Sequence, residues 1–224
     1  MKAFTVVDCE QKSPEWFAAR VGRLTSTGAA DMLAKIQKGE AAGRRNLRAR
    51  LMLEQITGRS QERNDFQTQA MRDGNEREPD AAAVYEAITG EMLSTTGFLS
   101  HNSLMAGASL DGHIGDFDGI VEIKSPIAAT HLDYLRSGTV PDNYLKQVTH
   151  ALWISGAAWC DWLSYQPDFP EALRVKVIRI DAKSLDLEGY ERDVRAFLAE
   201  VAAEVESVRT MADLSGVMRQ AVAS

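Results

Sequence analysis

Two cysteines in 224 residues, Cys9 and Cys160, exclude a disulfide scaffold, and without Cys-x-x-Cys spacing they form no metal knuckle. Both read as small buried hydrophobes in a reducing compartment. With 6 prolines and 16 glycines, collagen-like and disordered chains are also excluded. Apolar runs are short: Ala81–Tyr85 and Ala151–Ile154 fall far below the ~18 residues of a membrane span. The opening Met1–Lys2–Ala3–Phe4–Thr5–Val6–Val7 meets Asp8 before the apolar stretch of a secretion signal can form, so the expected location is cytoplasmic. There is no phosphate-cradling Gly-rich loop, no Gly-x-Ser-x-Gly elbow, and no ligand spacing among His101, His113, His131 and His150. A basic excess is lacking too. The net charge is −7, which by itself argues against a nucleic-acid partner.

What is present is 45% hydrophobic residues, enough for a sizeable core, with no repeat and no linker, so residues 1–224 read as one domain. Ser13–Pro14–Glu15 is an N-cap, an N1 proline and a first-turn acid, opening a helix to about Arg20. Gly22 ends it, and Thr25–Ser26–Thr27–Gly28 opens a second helix to about Gln37. Helices are expected at Arg44–Thr57 and from about Gln67 to Ile88, the latter containing Pro79 and beginning or kinking near Asn75–Pro79. Leu93–His101, Leu104–Leu110 and Phe117–Ser125 read as strands, followed by helices Ala128–Leu135 and Asn143–Ile154. Strands Ala158–Tyr165 and Leu173–Ile180 come next, then a helix with Tyr190, Val194, Phe197, Leu198, Val201, Val205 and Val208 on one stripe. This order predicts an α/β fold with a central mixed β-sheet flanked by helices.

The chemistry concentrates between Ser109 and Lys124. Asp111 is expected to end one strand, and glycines turn the chain into the next, where Glu122 and Lys124 share a face about 6.5 Å apart. Two acids and a lysine on neighbouring strands can hold a hard cation and a water beside a phosphodiester. By spacing alone, Glu122 and Lys124 equally fit the solvated face of an edge strand. Arg20, Thr25, Ser26 and Thr27 gather at a helix start, where backbone amides favour anions; surface pairing and capping are the other reading. Between Lys35 and Arg63, eight basic residues stand against Glu40, Glu54 and Glu62, a local +5 inside the acidic chain. Arg44, Arg45 and Arg48 share part of a face there, either toward DNA or toward solvent. Met71 reads as an exposed apolar wedge or as a core residue.

Asp111, ten residues, then Glu122–Ile123–Lys124 resembles the PD-(D/E)xK motif of metal-dependent nucleases, with Leu110 where that motif has proline. Trp16-x-x-x-Arg20-x-Gly22-x-x-Thr25–Ser26, Gly74–Asn75–Glu76–Arg77–Glu78, Ser125–Pro126 and Tyr144-x-x-Gln147 follow in the order of one branch. That branch is the λ-exonuclease-like (YqaJ-type) viral recombinases, and the likeness spans residues 16–154. It implies a restriction-endonuclease-like core and a Mg²⁺-dependent 5′-to-3′ exonuclease on double-stranded DNA ends, with Mn²⁺ as substitute. Mononucleotides would be released and a 3′ overhang left for phage-type recombination. It also implies a homotrimer, a single-strand annealing protein as partner, and a phage or prophage origin in a bacterial cell. Residue by residue, the resemblance gives Asp111, Glu122 and the Ile123 carbonyl to the metal and Glu78, with Glu76 as rival, to metal-bound water. Lys124 falls to the attacking water and the phosphate, and Gln147 and Tyr144 complete the site. Arg20, Thr25, Ser26, Thr27 and Ser109 fall near the 5′-phosphate, and Asp118 is either a further ligand or a turn residue. The rival readings are an endonuclease of the same fold and a catalytically silent DNA-end-binding scaffold.

Overall fold

The computed structural model describes residues 2–61 and 69–223, without the side chains of 69–71, 75 and 214–223. In chain order the elements are β1 (Phe4–Val7), α1 (Pro14–Arg20), α2 (Ala29–Met32), α3 (Ala42–Thr57), α4 (Gln69–Thr89), β2 (Phe98–His101), β3 (Gly107–Ala108), β4 (Gly112–Ile114) and β5 (Gly119–Lys124). There follow α5 (Ala128–Ser137), α6 (Asp142–Ser155), β6 (Trp159–Tyr165), β7 (Val175–Asp181) and α7 (Leu187–Ala223). The expected mixed sheet is the four-stranded β4-β5-β6-β7, parallel between β5 and β6 and antiparallel at both flanks. A second, three-stranded antiparallel sheet, β1-β2-β3, lies beside it.

Side-chain alternation along β5 divides the core. Val121 and Ile123 meet Ala81 and Tyr85 of α4, whereas Ile120 packs with Val148, Leu152 and the buried stripe of α7. The sheet is therefore covered by α4 on one face and by α6 on the other. Glu122 and Lys124 fall on the α6 face. Burial on both faces also explains why Val175 and Val177 of β7 join one cluster while Ile178 and Ile180 join the other.

Several local expectations change. The second helix stops at Met32, after a 3₁₀ turn over Ser26–Gly28, because Lys35, Ile36, Gln37 and Lys38 are exposed and no packed face sustains the helix. The strand expected over Leu104–Leu110 shrinks to β3, so Asp111 does not end a strand; it stands one residue before β4. Residues 112–114, read as turn, form β4, and residues 4–7 form β1; both owe their strand state to distant partners. Leu173 lies in a 3₁₀ turn before β7.

One network, of buried Tyr85 and Asp161 with the exposed Arg179, fixes α4 on the sheet. The Tyr85 hydroxyl donates to Asp161 at 2.7 Å, and Arg179 donates to both Asp161 oxygens at 2.8 Å each. The Arg179 guanidinium also stacks 3.7 Å from the Trp159 ring centroid. Burial, then the bond to Asp161, pushes the Tyr85 hydroxyl up, so it stays a donor. Asp161→Ala leaves the buried hydroxyl unpaired and removes the carboxylate that Arg179 faces. Unfolding free energy is expected to fall by about 3 kcal/mol, read from the urea midpoint. An unchanged midpoint would show that the network holds nothing.

Candidate active site

The site forms where β4 ends and β5 runs on. The last antiparallel pair is Gly112 with Val121, and one step beyond it the Asp111 carboxylate takes over the ladder, accepting from the Ile123 N–H at 2.7 Å. Paired residues exchange N–H and C=O bonds across one edge, so the Ile123 carbonyl faces the same vacated edge as its N–H. Asp111 and this carbonyl are thereby placed side by side.

Glu122 is 4% exposed. Its Oε1 accepts from Gln147 Nε2 at 2.6 Å and from the Lys124 ammonium. Burial pushes the Glu122 carboxyl up to about 7; Lys124 opposes the rise, and Asp111 and Glu78 add to it. For Lys124, burial alone would favour the neutral amine, but Glu122 and Asp111 outweigh it and hold the group well above its usual value. The ammonium lies 5.1 Å from the Tyr144 ring centroid, and burial, then the neighbouring Tyr144, pushes the Tyr134 hydroxyl up. Tyr134 stands edge-on to the buried Trp162 at 5.1 Å. Tyr144 and Gln147, three apart on α6, thus bound the lysine and Glu122 from one helix face.

Between the rival helix acids, α4 exposes Glu76 and half-buries Glu78. Burial, then Asp111, raises the Glu78 carboxyl, while Lys12 and Lys124 lower it. Pro79 is accommodated inside α4 directly after it. Glu78 also lies two turns before Tyr85, on the helix side that the Asp161 network holds to the sheet.

Among the described residues, no three His, Cys, Asp or Glu side chains are spaced to hold a metal ion. The donor set is instead two carboxylates and a carbonyl, with Glu78 a step further out. Such a set fits Mg²⁺, which takes few protein oxygens and keeps several waters. Asp111 raises the proton affinity of both Glu122 and Glu78, and Glu78 adds to that of Glu122, an excess of negative charge that a divalent cation would relieve. Asp118 is not part of this set. It lies four residues back along the chain, about 13 Å for an extended strand, in the hairpin tip against Gly115. The exposed Asp116 pairs with Lys2.

A second group lies just upstream. Arg20 is only 8% exposed, donates to Ser109 Oγ at 3.2 Å and stacks 4.0 Å from the Trp16 ring centroid. The Trp16 indole N–H donates to the same Ser109 oxygen at 2.8 Å. Ser109, two residues before Asp111, therefore joins the arginine to the carboxylate hairpin. Thr25 and Thr27 hydroxyls meet at 3.2 Å, and the buried Ser26 Oγ has no hydrogen-bond partner among the described residues.

Sequence reasoning missed what holds this loop. Glu54, 2% exposed, accepts from the Gly22 N–H at 2.8 Å and the Gln61 N–H at 2.9 Å, while Gln55 Nε2 donates to the Gly22 carbonyl at 2.8 Å. Gly22 has φ +66, and a β-carbon there would meet Gln55 Cγ at 2.5 Å. The available signal was the position of Glu54 on the Leu47–Leu51 stripe, where an acid needs buried partners.

The basic cluster is different from its sequence-level reading. Arg44 donates to both Glu200 oxygens at 2.7 and 2.9 Å and to Glu40 at 2.9 Å. Arg48 donates to both Glu40 oxygens at 2.9 Å and pairs with Glu204 at 2.8 Å. Two arginines facing three glutamates tie α3 to α7 and present no net positive charge, so Arg44 and Arg48 are corrected from a DNA-facing pair to a helix-joining network. Arg45 stays exposed on α3. Arg63 and Glu62, and the Met71 side chain, lie outside the described residues.

Residues 15–158 match the family described as the YqaJ-like viral recombinase domain. No curated protein matches the chain. Among solved structures, the chain is similar to the alkaline exonuclease LHK-Exo from Laribacter hongkongensis, with TM-score 0.81 and 35% identity over 90% of this chain and 98% of that one. The same exonuclease in complex with dAMP gives TM-score 0.81 and 36% identity, over 90% and 100% of the chains. A phage-related exonuclease from Haemophilus somnus shares the fold at TM-score 0.65 and 10% identity, over 83% and 96%.

Proposed function

This chain belongs to the YqaJ-like viral recombinase domain family and is a nuclease of the exonuclease type, and from that premise we propose a Mg²⁺-dependent 5′-to-3′ exonuclease acting on linear double-stranded DNA ends. It releases mononucleotides and leaves a 3′ overhang for strand annealing. The observation that carries this reading is the Asp111 carboxylate bonded to the Ile123 N–H, which sets it beside Glu122 and Lys124.

Asp111, Glu122 and the Ile123 carbonyl are the groups that would hold the metal, with Glu78 placed to accept from a water beside it. Mg²⁺ (or Mn²⁺) would supply polarisation of the phosphodiester and acidification of a water when bound. The chain's own groups do the rest. Gln147 fixes the Glu122 carboxylate by its amide. Lys124, a charged donor flanked by Glu122 and Tyr144, orients the attacking water and neutralises charge growing on the phosphate. Arg20, Ser26, Thr25, Thr27 and Ser109 receive the 5′-phosphate, with the unpartnered Ser26 hydroxyl in support. Arg45, alone of the three arginines once grouped, remains a candidate contact to the DNA backbone. A homotrimer, a single-strand annealing protein and the cytoplasm of a phage-bearing bacterium complete the proposal.

The test is digestion of linear duplexes with 5′-phosphoryl or 5′-hydroxyl ends beside covalently closed circles. Phosphorylated linear DNA is expected to be degraded fastest and closed circles left intact. Nicking of circles at equal rate would make the enzyme an endonuclease. Arg20→Lys retains charge but loses the planar fork, so the phosphoryl-to-hydroxyl rate ratio should fall about tenfold. Because it is a ratio, partial misfolding does not alter it. An unchanged ratio removes Arg20 from the phosphate.

A further inference from the structure

Lys12 has no part in the motifs above, yet the fold holds it in an unusual way. Its φ is +69, in the left-handed region that disfavours residues with a β-carbon. Phe117 is the other non-glycine residue with positive φ among those described, and its ring is packed, stacked 4.2 Å from His113 and edge-on to Phe4 at 5.0 Å. Lys12 is exposed and has no such packing to offset the strain.

The surrounding loop is fastened to the catalytic hairpin on both sides of Lys12. Before it, Gln11 Nε2 donates to the carbonyls of Leu110 at 2.9 Å and Thr96 at 3.0 Å. After it, Ser13 caps α1 by accepting from the Trp16 N–H at 3.2 Å, and the Trp16 indole reaches Ser109 at 2.8 Å. Residues 11–16 therefore run along 109–110, immediately before Asp111. The turn that holds Lys12 is closed by the Ser13 N–H donating to the Glu10 carbonyl at 3.2 Å, and a lysine kept where glycine would sit without strain, in a loop fastened beside Asp111, indicates a side chain held for use.

We propose that Lys12 grips a backbone phosphate of the DNA strand as it passes the 10–13 loop, beside residues 109–110 and Asp111. The inference rests on the nuclease reading of the site. An ammonium suits this task because a phosphodiester needs only a point charge there, free to follow successive phosphates as digestion advances.

The experiment uses the full chain and a linear 5′-phosphoryl duplex, with Ca²⁺ replacing Mg²⁺ to measure binding over a range of salt. Lys12→Gly should weaken binding about tenfold and reduce the slope of log affinity against log salt by about one. Its Tm should equal or exceed wild type, since glycine adopts φ +69 without strain. Lys12→Arg should restore both affinity and slope. Wild-type affinity and slope in Lys12→Gly would overturn the proposal, as would a clearly lower Tm in that variant or failure of arginine to rescue. If wild type neither binds nor digests the duplex, the nuclease reading itself fails. If wild type does both and Lys12→Gly matches it, only the role of Lys12 falls.

Discussion

Lys124→Met is expected to slow Mg²⁺-dependent digestion about 10³-fold while leaving DNA affinity within a few-fold of wild type. Methionine keeps most of the apolar stem that passes Tyr144, so packing on α6 persists. What disappears is the ammonium that bonds Glu122 and faces the Tyr144 ring, the group proposed to meet the reacting phosphate. A charged donor aimed where charge develops contributes mainly in the transition state, and loss of such groups costs about 10²–10⁴-fold in rate. Ground-state binding is spread over other phosphate contacts and changes little. Single-turnover rates with a pre-bound end-labelled duplex separate the two effects. Near-normal turnover by Lys124→Met would remove the lysine from the chemistry.

The second large effect concerns the metal. Asn at position 111 still offers an oxygen to the Ile123 N–H, so Asp111→Asn should preserve the hairpin while removing one charge. In EDTA its Tm should not fall, because Asp111 raises the proton affinity of both Glu122 and Glu78 and its neutralisation eases that repulsion. With Mg²⁺ the order reverses. A ligand at 100 times its Kd stabilises the folded state by about 2.7 kcal/mol, and for a chain of this size each kcal/mol raises Tm by about 2–4 °C. Wild type should therefore gain about 5–10 °C on saturation with Mg²⁺, and Asp111→Asn close to nothing. Digestion should fall with it. Equal Mg²⁺-induced shifts in the two proteins would mean that the cation binds elsewhere.

The legible parts of this protein were those written in short-range pattern. Ser13–Pro14–Glu15 marks the start of α1, and the Tyr190-to-Val208 stripe marks the buried face of α7 through Val205. Spacing alone left Glu122 and Lys124 between a site and a solvated strand face; the motif resemblance singled them out with Asp111, and the structure places the three side by side. Features settled by distant partners were not legible. β1 and β4 are strands only because Phe98–His101 and Gly119–Val121 lie alongside them. The burial of Glu54 depends on the Gly22 loop, and Tyr134 matters only once Tyr144 is packed beside it. The arginines of α3 show the same limit most plainly. A local +5 looked like a surface for DNA until α7, some 150 residues away, supplied Glu200 and Glu204. The net charge of −7 includes acids spent on such pairing and at the candidate metal site, so the total describes solubility better than partner choice.

The most direct measurement is release of label from a linear duplex carrying a 5′-phosphoryl end, followed in Mg²⁺ and in EDTA. With Mg²⁺, wild type should liberate 5′-end label as mononucleotide first and 3′-end label last, and in EDTA neither should appear. Equal release in EDTA, or no release in either condition, would contradict a metal-dependent exonuclease built on Asp111, Glu122 and Lys124.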